Sequence, residues 1–329
     1  MGIIEEIKME TIKIKIKSKL INYNLEFEHN LNIIRGDSAT GKSTLVRFLD
    51  NEESSCATIE SNYELFHLTA KMLERNIRLD ERTVYIMDES DGIKNKIVID
   101  TINKNKYNFI LIIRDTKLEN LSYGISQIYE IFRSGKYNLN RRMYNENLNK
   151  DKSIEYDKLD SIITEDSGSG YEYYTTYRNF NVSSSNGNSN INKYLNLNQI
   201  VVIDEIAFGP YIKTLEEKST NRNIFILYPK TFEWLILTSK IFRISDRSLE
   251  NGYKTGEYAI NREKYYENVL KNESNKINLK YSKSKLSEEF KEAKQLDKIN
   301  ERLVELFKID IKELSENRQD NAQIKWGWK

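Results

Sequence analysis

One cysteine, two prolines and two histidines are all that the 329 residues hold of these three types. With Cys56 alone no intrachain disulfide can form, which excludes a disulfide-stapled scaffold. His29 and His67 are too few for a histidine-rich metal site. His29 precedes a strand-like run and His67 falls in a stretch read as helical, so both are expected to be structural or surface residues. No apolar run approaches the roughly 20 residues needed to cross a bilayer, and no membrane partner is expected. The opening residues lack a charged-then-apolar leader, and Glu6 stands where a myristoylation signal has Ser or Thr. An excess of one charge is missing too: 51 basic residues face 50 acidic ones. That balance excludes a globally basic nucleic-acid binder, though not a local basic patch. Together these absences lead to the expectation of a cytoplasmic protein.

What is present is concentrated in one segment. Gly36-Asp37-Ser38-Ala39-Thr40-Gly41-Lys42-Ser43-Thr44 fits G-x-x-x-x-G-K-[ST] at every fixed position. Leu31, Ile33 and Ile34 before it read as a buried strand, and the residues from Thr44 to Leu49 as the start of a helix. Strand, glycine loop and helix are what a phosphate cradle requires. The glycines let the backbone turn so that several N–H groups can face an anion, and the helix adds its positive end. Lys42 would reach the β- and γ-phosphates of a nucleoside triphosphate, and Ser43 would place its hydroxyl on Mg²⁺. ATP and GTP are equally compatible with the loop.

The rest of the first half reads as alternating strands and helices. Ile12 to Lys17 alternates strictly, as do Ile21, Tyr23, Leu25 and Phe27, which predicts an N-terminal hairpin. Strands are predicted at 56–59, at Thr83–Met87 ending in Asp88-Glu89, at Phe109–Ile113 ending in Arg114-Asp115, and at Ser126–Phe132. Tyr63 to Asn76 and Gly92 to Asn103 are predicted helices. This alternation predicts a mainly parallel sheet with helices on both faces, whose ligands bind beyond the carboxyl ends of the strands. Lys42, Asp88 and Glu89 all fall at such ends. A rival pair, Asp204-Glu205, closes the equally apolar Ile200–Ile203.

The loop and the Asp-Glu strand end resemble the P-loop NTPases of the ABC and RecA-like class that carry a catalytic glutamate, over residues of about 10–135. The resemblance implies that Asp88 helps to hold Mg²⁺ and that Glu89 orients or deprotonates the attacking water. An apolar strand about twenty residues after Asp88-Glu89 matches the adjacent sensor strand of this superfamily. If Asp204-Glu205 were the Walker B pair instead, the chain would resemble an interrupted ABC or SMC head. Such a head would carry an LSGGQ-type signature shortly before that pair, and none is present. ABC-like sites are completed across a dimer, so a homodimer is among the expected partners.

Residues 1–137 are thus expected to form the nucleotide-binding domain, and polar residues 138–157 a linker or surface segment. Residues 158–250 read as a second α/β domain and 251–329 as a helical region. In the second domain a strand at Ser161–Thr164 ends in Glu165-Asp166 and is followed by the turn Ser167-Gly168-Ser169-Gly170. Asn179 to Asn190 reads as a flexible surface loop, and strands follow at Ile200–Ile203 and Ile224–Tyr228. This order resembles a Toprim domain, as in the OLD-type ATPase-nucleases. The resemblance implies a second metal site at Glu165 and Asp204 and nucleic acid as a partner. Ile206 replaces the second acid of the Toprim Asp-x-Asp pair, which predicts weak metal affinity and little or no cleavage. The leading expectation is a slow Mg²⁺-dependent ATPase or GTPase coupled to a second α/β domain. The alternatives are a nucleotide-gated nuclease, a small-molecule kinase and a non-hydrolysing switch. For a kinase, Arg141-Arg142 is the only adjacent arginine pair that could serve a lid.

Overall fold

Where apolar residues alternate, a strand shows one face to water; where they run on, both faces are covered. Both patterns occur in the computed structural model. It describes residues 11–19, 21–36, 41–50, 57–104, 106–114, 117–144, 148–150, 152–254 and 262–326, with the backbone alone for 251–254 and 319–326. The chain divides into two compact units. One is built from residues 1–145 with 254–260, the other from 146–253 with 261–329. None of the described helices is long and apolar enough to cross a membrane.

The first unit contains a nine-stranded sheet. β1 (Ile12–Ser18) alternates buried Ile12, Ile14 and Ile16 with exposed lysines, and pairs antiparallel with β2 (Asn22–Phe27) in the expected hairpin. β3 (Leu31–Arg35) is buried along its whole length and leads toward α1 (Lys42–Arg47). Then come β4 (Ala57–Ser61), β5 (Glu64–His67), α2 (Ala70–Glu74), β6 (Thr83–Asp88), α3 (Lys96–Asn103), β7 (Asn108–Ile113), β8 (Ile128–Ser134) and β9 (Tyr137–Arg142). The strand order is β4-β1-β2-β9-β8-β3-β7-β6-β5. The five strands β8, β3, β7, β6 and β5 are mutually parallel, and α1 packs on β6.

Three expectations change here. Residues 57–61 do not join the parallel core but pair antiparallel with β1. The fifth core strand is β5, in a stretch expected to be helical. Its backbone fills the open side of β6, with Glu64 opposite Thr83 and His67 opposite Ile86, and the helix starts only after Thr69. Residues 138–142, expected in a linker or surface segment, form with Tyr137 an interior strand between β2 and β8. Its polar side chains are tolerated because Asn138 alone is buried, the other five keeping some exposure.

The second unit holds a four-stranded sheet, all parallel, in the order β11-β10-β12-β13. Its elements are β10 (Ser161–Thr164), α4 (Ser169–Tyr174), β11 (Asn181–Ser184), the one-turn α5 (Asn188–Ile191), β12 (Gln199–Val202), α6 (Ile212–Ser219), β13 (Ile224–Leu227) and α7 (Phe232–Thr238). Four more helices follow: α8 (Asp246–Lys254), α9 (Arg262–Lys276), α10 (Ala293–Phe307) and α11 (Ile311–Trp326). The expected loop at 179–190 contains an edge strand instead, since β10 offers a free side on which 181–184 can pair. The helical end of the chain is no separate body. Leu270, Phe290, Ile299 and Leu303 lie in one core with Tyr173, Phe232 and Trp234. The side chains of the two terminal tryptophans, Trp326 and Trp328, fall outside the described residues.

Gly168 shows how tightly the turn after β10 is held. Ser169 N–H donates to Lys283 O at 2.9 Å, and a Cβ on Gly168 would lie 2.2 Å from that same carbonyl oxygen. Because the obstacle is backbone, Gly168→Ala should destabilise the second unit by about 1–3 kcal/mol. Chemical denaturation checks this, and an unchanged midpoint would contradict the close approach.

Candidate functional site

The glycine loop leaves the carboxyl end of β3. Asp37, Ser38, Ala39 and Thr40 lie outside the described residues, but both ends of the loop are defined. Gly36 has φ +144° and Gly41 φ +82°, conformations that L side chains rarely adopt. A Cβ on Gly41 would also meet the Tyr23 hydroxyl at 2.8 Å, and that hydroxyl donates to Gly41 O at 2.6 Å. Gly41 O further accepts from the backbone of Thr44 and Leu45, which opens α1. Lys42 is buried, and its Nζ lies 3.7 Å from where a Cβ on Gly36 would stand. The ammonium is therefore folded back over the start of the loop. Ser43 is exposed and Thr44 half-buried.

β6 ends in a turn whose hydrogen bonds are internal. Asp88 Oδ1 accepts from Glu89 N–H at 2.7 Å, and Asp91 Oδ2 accepts from Asp88 N–H at 2.5 Å. Glu89 reaches sideways, where Oε2 accepts from Arg114 N–H, at the end of β7, at 3.4 Å. β7 is the strand between β6 and β3, with Asp88 opposite Ile112 and Arg35 opposite Ile113. The glutamate thus leans toward the strand that carries the glycine loop. Gly36, Lys42, Asp88 and Glu89 come together at one edge of one sheet. The rival pair stands on the other sheet. β12, which precedes Asp204-Glu205, pairs with β10 and β13 and is no strand of the sheet that carries the glycine loop, as one continuous head would require.

Asp204 belongs to a different site. Parallel pairing sets Thr164 opposite Val202, so Glu165 and Asp204 emerge from neighbouring strands at the same edge. Asp204 N–H donates to Glu165 Oε2 at 3.4 Å. Both acids, with Asp166, Glu233, Asn188 and Lys283, line a cleft of about 400 Å³. Glu205 does not line it, and its N–H is held by Pro229 O at 2.9 Å.

Burial sets the ionisation of this cleft. It pushes the Glu165 carboxyl up to about 8, against the Asp204 N–H that favours the anion, with the charge of Asp166 adding to the rise. Burial, then the charges of Glu165 and Glu233, hold Asp204 well above the usual carboxylate range. Asp166 is also raised by burial, although the backbone N–H groups of Gly168, Gly170 and Tyr171 bind it. Lys283 forms an ion pair with Glu263. For that lysine, burial works against the charge, and the bond to Glu263 outweighs it.

The cleft's donors are all oxygen, the chemistry that suits Mg²⁺. Asn188 Oδ1, buried beside the acids, finds no hydrogen-bond partner among the described residues. Yet among the described residues no three acidic, histidine or cysteine side chains are placed to enclose a metal ion. Asp166 is already taken by backbone N–H groups, and residue 206, two after Asp204, is the apolar Ile206. The residues fit only the open mode of Mg²⁺ binding, with one or two carboxylates and the remaining positions left to water or a phosphate.

Sequence reasoning missed the cluster of His67 with Asp50 and Asp91. No local signal marks it, because the three residues come together only when 64–67 is a strand. No protein-family model matches the chain, and neither does any curated protein.

The buried acids make the second unit's stability pH-dependent, with a definite sign. Below its ordinary value of 4.5, Glu165 is protonated in both folded and unfolded chains. Between 4.5 and about 8 the unfolded chain releases a proton that the folded one keeps, so stability falls as pH rises. Thermal unfolding should therefore show a lower Tm at pH 8.5 than at pH 6. Glu165→Gln should flatten this slope, and Mg²⁺ should raise the Tm at pH 8.5 only while Glu165 and Asp204 are intact.

Proposed function

We propose that the first unit binds a nucleoside triphosphate with Mg²⁺ at the glycine loop and hydrolyses it slowly. One observation carries this reading. The glycine loop and the Asp-Glu turn leave parallel strands one strand apart, and Glu89 leans across that intervening strand toward the loop. Phosphoryl transfer needs little covalent chemistry from the protein and depends on positioned charge, which this edge supplies. Lys42 would place its ammonium on the β- and γ-phosphates. Ser43 and Asp88 would hold the Mg²⁺, which when bound neutralises charge on the phosphate oxygens. Glu89 would orient the attacking water and accept its proton. A kinase has less support. Arg141 and Arg142, the pair that a lid would need, are tied to Glu130 and Glu28 at 2.7 and 2.6 Å on the sheet.

A second reading concerns the other unit. The convergence of Glu165 and Asp204 on one cleft favours a divalent cation and, through it, a phosphodiester of a nucleic acid. The single-ion, open mode implies weak cation binding and slow cleavage.

Two measurements test the first reading. Lys42→Ala should weaken ATP or GTP binding by about 1.5–3 kcal/mol, as expected when a charge-assisted contact is lost. Unchanged affinity by calorimetry would remove the phosphate-loop reading. Glu89→Gln should keep nucleotide binding and lose phosphate release, whereas Glu205→Gln should leave both intact. For the second reading, Asp204→Asn should abolish any Mg²⁺-dependent cleavage of DNA or RNA without changing nucleotide turnover. Cleavage that survives this substitution, or needs no divalent ion, would exclude the cleft.

A further inference from the structure

His67 ends β5 with both ring nitrogens engaged. Nδ1 lies 2.5 Å from Asp50 Oδ1 and Nε2 lies 2.8 Å from Asp91 Oδ2. The imidazole is largely buried, with 15% of its surface exposed. A neutral imidazole has one N–H and one lone pair, so it can satisfy only one of two carboxylates; the imidazolium satisfies both.

The two carboxylates sit at informative places. Asp50 follows α1 by three residues. Phe48 N–H donates to Thr44 O and Leu49 N–H to Val46 O, so the chain from Lys42 toward Asp50 is a continuous bonded turn. Asp91 lies in the turn after β6, and the oxygen that faces His67 also accepts the Asp88 N–H. Asp88 in turn caps Glu89. A single ring thus connects the end of the phosphate-loop helix to the backbone that carries both acids of the proposed hydrolytic site.

We propose that His67 is a positioning residue for nucleotide hydrolysis, its imidazolium bridging Asp50 and Asp91 so that the Asp88-Glu89 turn keeps its place relative to Lys42 and Ser43. The inference rests on the hydrolysis reading above. The charged groups that face the ring are Asp50, from the segment after α1, and Asp91, from the turn after β6. Its register partner on β6, Ile86, is apolar. Burial alone would lower the imidazole pKa, but the hydrogen bonds to Asp91 and Asp50 and then their charges raise it above the ordinary 6.5. The bridge is therefore kept to higher pH than an ordinary imidazolium would keep it, and lost as pH climbs through the raised value. Below that value the fold is stabilised by it, and above it one nitrogen turns a lone pair on a carboxylate.

The test combines kinetics with a direct readout of the ring. In the full chain, His67→Gln should lower kcat by about 10–100-fold, the range seen when outer partners of such sites are removed, with KM for the Mg²⁺-nucleotide nearly unchanged. The limb of the kcat profile that falls as pH climbs through the raised His67 value should vanish with it. Asp91→Asn, which breaks the bridge at its other contact, should give the same split. Because the chain has two histidines, NMR of the His29→Gln protein reports His67 alone. Its pKa should exceed 6.5 and fall toward that value in Asp91→Asn. This measurement does not depend on the fate of the His67 variant. Wild-type kcat and pH profile in His67→Gln, a His67 pKa at or below 6.5, or a joint loss of binding and turnover would each overturn the proposal. Absence of phosphate release from the unaltered chain would instead be the failure of the hydrolysis reading, and the inference would fall with it.

Discussion

In a parallel sheet buried on both faces, strand interiors are mainly apolar, and groups free to meet a ligand gather beyond the carboxyl ends of the strands. Parallel pairing sends all carboxyl ends to the same edge. Leu31–Arg35, Asn108–Ile113, Gln199–Val202 and Ile224–Leu227 are buried at every position, so their chemistry begins only where pairing stops. Both candidate sites of this chain follow from that constraint. Gly36, Asp88 and Glu89 leave one sheet at one edge, and Glu165 and Asp204 leave the other sheet in the same manner.

The two edges differ in how they treat charge. In the first unit the acids are held by local backbone bonds, Asp88 by Glu89 N–H and Glu89 by Arg114 N–H, and both stay partly exposed. Lys42 brings a cation to the same edge. In the second unit Glu165 and Asp204 line a cleft of acids where loss of water raises both; the charge of Glu165 adds to the rise of Asp204, and that of Asp166 to the rise of Glu165. Lys283, the cation that lines the cleft, is already paired with Glu263. Burying acids without a counter-charge is costly, and a cation that binds there relieves the cost.

Much of this was legible in the sequence because it depends on local pattern. The strand-loop-helix around Lys42, the apolar strands before Asp88 and Asp204, and the meeting of Glu165 with Asp204 all follow from apolar runs closed by acids. What was not legible depends on which edge is free. Glu64–His67 is too short and mixed to show a period of its own, and it becomes a strand because β6 offers an unpaired side. Tyr137–Arg142 and Asn181–Ser184 are polar enough to read as loops, yet the sheet accepts them because a strand with one wet face needs few apolar residues. The assignment of His67 to a helix hid its two carboxylates, since side-chain direction follows from the element.

These differences set an order of events at each site. On the function proposed above, an edge with a lysine and backbone-held acids would attract a polyanion directly, the ammonium meeting the phosphates while the acids remain on their backbone donors. An edge made of carboxyls held protonated by burial offers a phosphate no free cation, since Lys283 is already paired with Glu263. On the second reading proposed above, phosphate chemistry in the second unit would be conditional on cation occupancy, with Glu165 and Asp204 left to hold the cation because Asp166 is bound by backbone N–H groups. The bridge at His67 belongs to the first kind of edge. It adds a positive charge beside the acid turn without contacting Asp88's carboxylate, so it can fix that turn in place while leaving the carboxylate open. A histidine does this where a lysine would not, since its two N–H groups point in opposite directions from a rigid ring and set the separation of the two acids that they join.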